Sequence, residues 1–317
     1  MRRYDVFNGD ADGICALHQL RLAEPADAAL VTGVKRDIAL LGRVPAAAGD
    51  LVTVLDVSLD RNRAALLGLL ERGVKVRWFD HHYAGEVPAH PGLQADIDTA
   101  RGVCTSMLVD RYLGGPFRAW AVVAAFGDGL EHAARALAAT LALNEQSVER
   151  LAELGRSINY NAYGESVADL VMPPEALYRS LAPHVDPLEF IDAEPACARL
   201  EAARRADLAL AASVPPRWTR GAAALYLLPD AAWARRVGGT YANQLAQAEP
   251  ARWIALLVPR SAGGYLVSVR AAAGAARGAD ELCRQFGGGG RGDAAGIDHL
   301  PESALQAFER SYADACA

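Results

Sequence analysis

The sequence predicts an α/β protein: an N-terminal, doubly wound and mainly parallel sheet followed by a smaller C-terminal α/β domain. Three observations carry that expectation. Continuous apolar runs alternate with helical patterns from residue 4 to about residue 130, a second strand-and-helix block begins after Pro215-Pro216, and 317 residues exceed the usual size of a single core. The expected division is a first domain over 1–190, a linker helix over 191–216 and a second domain over 217–317 that contains a glycine-rich loop.

Taken in order, Tyr4-Asp5-Val6-Phe7 reads as the first strand and 14–22 as a helix closed by Pro25. Residues 29–34 and 51–55 are the next two strands. A helix over 60–71 carries Leu66, Leu67, Leu69 and Leu70 and ends at Gly73, and 74–79 is the fourth strand. From 104 to 170 the pattern is mainly helical: 104–113 stops at Gly114-Gly115, 120–126 is short and apolar, and 131–143 follows. Pro173-Pro174 breaks the run. The linker helix, 195–213, is rich in Ala, Arg and Leu and ends at Pro215-Pro216. In the second block 222–228, 253–258 and 264–270 read as strands, with helices at 240–247, 279–286 and 301–315. The glycine run 287–296 lies between the last two helices.

Bulk properties narrow the function. With 38 acidic against 32 basic residues the net charge is −6, which disfavours stable duplex binding and leaves small phosphorylated substrates open. Five scattered cysteines without a C-x-x-C pair fit reduced thiols, not a disulfide framework or a zinc knuckle. No apolar run reaches bilayer length, and the opening Met1–Asp5 lacks the apolar segment of a signal peptide. A cytoplasmic location without membrane association is the expectation.

The chemistry concentrates where strands end. Asp10 and Asp12 follow the first strand, Asp56 the third, and Asp80-His81-His82 the fourth, and ligands of parallel sheets bind beyond the strands' carboxyl ends. Asn8-Gly9-Asp10-Ala11-Asp12-Gly13 has the spacing of an EF-hand opening, but its twelfth position is Gln19 and a strand precedes it. The alternatives are a solvated turn, or a strand-end pair whose carboxylates reach different metal ions. Asp56 alone is weak evidence, since such an acid often caps the next helix; beside the others it is a natural bridge between two cations. Asp128, between Gly127 and Gly129 at a helix junction, completes a set that mixes imidazole with carboxylate and suits manganese better than calcium. Two ions about 4 Å apart activate water and stabilise an in-line phosphoryl displacement.

The segments NGDADG, VLD, FDHH and FGDG, in this order, resemble the four motifs of the DHH phosphoesterase family, which includes RecJ-type exonucleases, nanoRNases and manganese pyrophosphatases. LVSVRA followed by FGGGGRGDAAG resembles the DHH-associated C-terminal domain of the exonuclease and nanoRNase branch, so the resemblance spans nearly the whole chain and is least diagnostic over 130–215. It implies that Asp10 and Asp56 hold one metal, and that Asp12, Asp56, His81 and Asp128 hold the other. It further implies that Asp80 orients His81 and that His82 contacts phosphate or protonates the leaving oxygen. Two divalent ions are implied, manganese first and magnesium second. The implied activity is hydrolysis of a phosphoester in a nucleotide, dinucleotide or short oligonucleotide, as a nucleotide phosphatase or a 3′–5′ exonuclease; a homodimer is an open assembly state.

Two departures stand out. Relatives place a further first-metal ligand where this chain has Val6 or Asn8, and Asn8 offers only a neutral carbonyl oxygen. Arg291 replaces the usual histidine of the glycine-rich motif, where its planar fork, with Gly289 and Gly290, suits phosphate. The following helix N-terminus is expected to complete an anion-binding concavity, with Arg270 as a second contact, and the C-terminal domain is expected to close over the metal site. The glycine run's G-x-G-x-x-G match follows a helix, so it does not mark a dinucleotide fold. Lys35-Arg36 fit either a phosphate contact or a solvated loop, and Thr105-Ser106 either a phosphate contact or a helix cap. The alternatives to the hydrolase are a nucleotide-binding protein with a weakened metal site and a phosphoanhydride hydrolase of the pyrophosphatase kind.

Overall fold

A computed structural model describes residues 1–316. The chain forms two compact units, Met1–Ala202 and a second from Ala203 onward. In the first, β1 (Arg3–Phe7) leads to α1 (Ala11–Ala23) and β2 (Ala29–Val31), then β3 (Leu51–Leu55), α2 (Leu59–Glu71), β4 (Lys75–Asp80) and β5 (Leu93–Ile97). The five strands run parallel in the order β2-β1-β3-β4-β5. The order reverses at β1, so the crevice beyond β1 and β3 is the topological switch point of the sheet.

Side chains alternate faces along a strand, and both faces are buried. Val6, Val52, Val54, Val76 and Trp78 enter one core with α2. Phe7, Leu55 and Phe79 enter the other with α1 and a helical layer of α3 (Thr105–Leu113), α4 (Arg118–Gly127), α5 (Glu131–Ala138), α6 (Glu145–Asn161), α7 (Pro174–Leu181), α8 (Pro187–Ala193) and the start of α9 (Pro195–Ser213). A sheet covered on both sides needs continuous apolar strands, which explains why β1, β3 and β4 stood out in the sequence.

The second unit holds β6 (Trp218–Arg220), β7 (Ala223–Leu227), α10 (Ala232–Ala248), β8 (Trp253–Pro259), β9 (Tyr265–Arg270), α11 (Ala279–Arg284), β10 (Gly289–Gly290), β11 (Ala294–Leu300) and α12 (Leu305–Ala315). Its sheet, ordered β10-β11-β9-β8-β7-β6, is mixed; β7 and β8 are its parallel pair. Trp253, Leu257, Val267, Val269, Phe308 and Tyr312 fill its core, where the Tyr312 hydroxyl donates to the Ala224 carbonyl at 2.9 Å.

Several boundaries differ from expectation. β2 stops at Val31, and β5 was not foreseen because its Gln94, Ala95 and Asp96 are exposed on an edge strand with no apolar run. α10 begins eight residues before the expected 240, passing through Gly238-Gly239. A Cβ on Gly238 would come within 2.9 Å of the Val258 side chain, so this glycine serves close helix–sheet packing and does not break the helix. The glycine run is followed by β11, not by a helix, and forms a hairpin with Gly290 at φ 144°. The helix N-terminus expected to complete an anion-binding concavity there is therefore absent from that position. Among the described residues, no helix is long and apolar enough to cross a membrane.

Candidate metal centre

The register of the sheet gathers the acidic residues. Phe7, Leu55 and Phe79 lie side by side across β1, β3 and β4, so the residues that follow them emerge from one edge. The ladder continues one step further: Asn8 N–H donates to Leu55 O at 3.2 Å and Asp56 N–H to Phe79 O at 3.0 Å. Asp56 then adopts φ 58°, the left-handed region that asparagine and aspartate tolerate best, and is the one non-glycine residue with positive φ among those described.

Asp10 and Asp12 belong to the start of α1, not to an alternating strand end. Asp10 is the N-cap, its Oδ1 accepting the N–H groups of Asp12 and Gly13 at 3.0 Å each. Asp12, in the first turn, reaches to the start of α3, where its Oδ1 accepts Ser106 N–H and its Oδ2 accepts Thr105 N–H, both at 2.7 Å. Thr105 and Ser106 are fully buried; the Thr105 hydroxyl donates to Asp56 Oδ1 at 3.2 Å and the Ser106 hydroxyl to the Asp12 carbonyl at 2.9 Å. The expected cap is not what the pair provides: the N-cap of α3 is Cys104, and both hydroxyls are spent on Asp56 and Asp12.

Asp128 arrives from the other core layer. It C-caps α4, and α4 approaches α6 closely enough that a Cβ on Gly155 would lie 2.1 Å from the Val123 carbonyl oxygen. Only glycine permits that approach, which carries the α4 terminus to the sheet edge.

His81 and His82 diverge at the end of β4. The His81 Nδ1 lies 2.9 Å from the Val103 carbonyl, so it carries the proton of the neutral ring and leaves Nε2 as a lone pair. That lone pair faces Asp56 Oδ1 at 3.3 Å, Asp12 Oδ2 at 3.8 Å and Asp128 Oδ2 at 3.8 Å. Four acceptors directed at one another repel unless a cation or a proton lies among them. The expected tie between Asp80 and the His81 ring is corrected: Asp80 Oδ1 accepts the His82 ring Nδ1–H at 2.7 Å and the backbone N–H groups of His81 and His82 at 2.9 and 3.2 Å. Both rings leave the same strand end, and the one nearer Asp80 takes its carboxylate.

The electrostatics point the same way. Burial, reinforced by Asp10, Asp12, Asp128 and Asp80, pushes the Asp56 carboxyl well above the usual carboxylate range. Burial and then Asp128 raise Asp12. Burial also pulls Asp10 upward, but the charge and hydrogen bond of Lys35 outweigh it and leave Asp10 lowered. His82 loses some basicity to burial and regains more from Asp80, so its pKa is raised; its side chain is 45% exposed, which screens the effect. Buried Asn8 Oδ1 and Asp80 Oδ2 have no hydrogen-bond partner. Imidazole and carboxylate donors, an unpaired amide oxygen and the raised carboxyls of Asp12 and Asp56 are the features of a site fitted to a divalent cation.

The site opens to a cleft of about 370 Å³ lined by Asn8, Asp10, Lys35, Ile38, Asp56, Ser58, Asp60, Arg61, His81, His82, Tyr83 and Asp128. Lys35, which the sequence left open between a phosphate contact and a solvated loop, turns its Nζ to the acids at the cleft: it donates to Asp10 Oδ2 at 2.5 Å, Asp128 Oδ1 at 3.2 Å and Asn159 Oδ1 at 3.3 Å. Neither Lys35's role nor Asn159 was foreseen. In the second unit Arg270 is held by Asn243 at 2.7 Å and the Val269 carbonyl at 2.8 Å, while exposed Arg291 closes the hairpin through its backbone with Ala294.

No family model and no curated protein matches the chain. Solved structures do. An exonuclease RecJ bound to manganese aligns with 99% of this chain and 90% of its own at a TM-score of 0.64 and 23% identity. RecJ of Thermus thermophilus in complex with Mn2+ aligns over 99% of this chain and 52% of its own, at 0.59 and 21%. The pGpG-specific phosphodiesterase PggH of Vibrio cholerae aligns over 99% of each chain, at 0.52 and 15%. The chain has the RecJ-like fold, a parallel-sheet unit followed by a mixed-sheet unit.

Proposed function

We propose that the chain is a divalent-metal-dependent phosphoesterase acting on a nucleotide, dinucleotide or short oligonucleotide. The observation that carries this reading is the convergence of the His81 Nε2 lone pair and carboxylate oxygens of Asp12, Asp56 and Asp128 at 3.3–3.8 Å on the floor of an open cleft. Those four residues would hold a manganese or magnesium ion, and the unpartnered Asn8 Oδ1 is a further neutral oxygen of the cleft lining. When bound, such an ion supplies Lewis-acid activation of water and of a phosphoryl oxygen.

The remaining steps belong to the chain's own groups. Asp80 fixes His82 by its Nδ1–H, so the opposite ring nitrogen is kept for the substrate phosphate or the leaving oxygen. The raised pKa keeps His82 protonated further into the neutral range, as a proton donor requires. Tyr83, 75% exposed at the cleft, offers an aromatic face to a nucleobase. In the second unit, Arg291 with the Gly289–Gly290 backbone, and Arg270, are the groups we assign to a further substrate phosphate.

The names of two structural neighbours, an exonuclease and a pGpG-specific phosphodiesterase, support a phosphodiester substrate, and the second name supports a short one. Manganese-dependent product release compared across pyrophosphate, a 3′,5′-bisphosphate nucleotide and a dinucleotide tests the reading. Turnover of the dinucleotide or the bisphosphate above that of pyrophosphate is expected; turnover of pyrophosphate alone overturns it in favour of a phosphoanhydride hydrolase.

A further inference from the structure

We propose that the Lys35 ammonium is a built-in cation on the Asp10 side of this centre, so that the chain binds one divalent ion where the sequence suggested two. The inference rests on the metal-dependent reading above and concerns how that site is filled.

An ammonium has three protons and no lone pair, and Lys35 directs its Nζ at three oxygens from three parts of the fold. They are Asp10 Oδ2 at the α1 N-cap, Asp128 Oδ1 at the α4 C-cap and Asn159 Oδ1 in the last turn of α6. The residue is held in place from its backbone outward. Its N–H donates to the Ala162 carbonyl at 2.9 Å, and its own carbonyl accepts the Asn8 amide at 3.4 Å. The ammonium lies 5.9 Å from the centre of the Tyr163 ring, and the side chain is 25% exposed, at the cleft's inner wall.

Asp10 Oδ1 accepts two backbone N–H groups and its Oδ2 already holds a cation, whereas both oxygens of Asp12 accept only neutral N–H groups. A divalent ion needs carboxylate oxygens at about 2.0–2.3 Å. An ion held by Asp10 and Asp56, the first site the resemblance implies, would have to share Asp10 with the ammonium, and the two positive charges would repel. Val6, buried in the apolar core, adds no ligand on this side, and Asn8 adds no charge. On the His81 side the lone pair, Asp12 Oδ2, Asp56 Oδ1 and Asp128 Oδ2 lie apart from the ammonium's three contacts and remain for the metal. A covalently attached charge cannot be removed by a chelator, so metal dependence should follow a single-site isotherm.

The test is manganese content per chain after equilibrium dialysis, with the electron paramagnetic resonance spectrum of the bound ion, for the wild-type protein and Lys35→Met. One ion in the wild type with the resolved hyperfine pattern of an isolated ion, and two in Lys35→Met with a broadened, exchange-coupled spectrum, support the inference. Two coupled ions in the wild type overturn it and leave the phosphoesterase reading standing. One isolated ion in both proteins also overturns it, since Lys35 then excludes nothing. No ion in the wild type overturns the metal-dependent reading itself. The wild-type spectrum decides between one ion and two even if Lys35→Met fails to fold.

Discussion

Asp56→Asn separates the metal-binding role of this residue from its role in the fold. Asparagine has the same shape, keeps an oxygen for the Thr105 hydroxyl that Asp56 Oδ1 accepts at 3.2 Å, and tolerates the φ of 58°. What it loses is the charge. In the metal-free protein that charge is unwelcome: the carboxyl is raised by burial and by its acidic neighbours, so its protonated form stabilises the fold at low pH and the contribution is lost as pH rises through the raised value. The metal-free variant should therefore melt no lower than the metal-free wild type at neutral pH. With metal the order reverses. Saturation at about a hundredfold above Kd stabilises the wild type by about 2.7 kcal/mol, which for a unit of this length is a rise of about 5–10 °C. The variant, whose Oδ1 3.3 Å from His81 Nε2 becomes a neutral amide oxygen at the middle of the cage, should gain less than about 2 °C and lose more than about a hundredfold in activity. The assay is thermal melting in chelator and in manganese. Equal manganese-induced shifts in the two proteins would refute the placement of Asp56 at the metal.

Other perturbations probe the supporting structure. His82→Ala should lower kcat by about 10²–10⁴ while leaving manganese affinity unchanged, and Asp80→Asn should weaken the same step by releasing the ring held at 2.7 Å; loss of metal from His82→Ala would contradict the division of roles between the two histidines. Gly155→Ala places a methyl 2.1 Å from the Val123 carbonyl oxygen, so α4 and α6 must separate at a cost of about 1–3 kcal/mol in denaturant melts, with weaker manganese binding as Asp128 moves; unchanged stability would show the contact to be slack. His18, buried with its Nε2 2.8 Å from the His184 carbonyl and edge-on to Trp120, has its pKa lowered to about 4 by burial. A histidine lowered on folding binds more protons when unfolded, so stability should be complete above about pH 6.5 and fall by about 3 kcal/mol towards pH 4. His18→Asn should remove that part of the slope, and an unchanged profile would refute a buried neutral ring.

What the sequence revealed follows from which forces act locally. β1, β3 and β4 are buried on both faces, so their apolar runs and the acids just beyond them could be read directly, as could the gathering of Asp10, Asp12, Asp56, His81 and Asp128 at one edge. Asp10 as a cap and Asp12 as a partner of α3 were hidden because the helix starts three residues earlier than its apolar pattern does. The 17-residue helix α6 carries the apolar spacing Val148, Leu151, Ala152, Ile158 behind an Asn144 cap, yet its charged outer face and the Gly155 contact obscured it within a stretch expected only to be helical. Lys35 was illegible as a partner of the acids: its oxygens come from residues 25, 93 and 124 positions away, and nothing in a Lys-Arg pair after a strand records that. The partner of Asp80 could not be read either, because two adjacent imidazoles lie within reach and only the turn of the backbone after β4 decides between them.

Diffraction from a manganese-soaked crystal, recorded at the metal's absorption edge, examines the cage without any assumption about substrate. An anomalous peak about 2.0–2.3 Å from His81 Nε2 and from oxygens of Asp12, Asp56 and Asp128 is expected, with Lys35 still bonded to Asp10 and no second peak on that side. A peak bound elsewhere, or an ordered cleft in which these four side chains hold no ion, would contradict it.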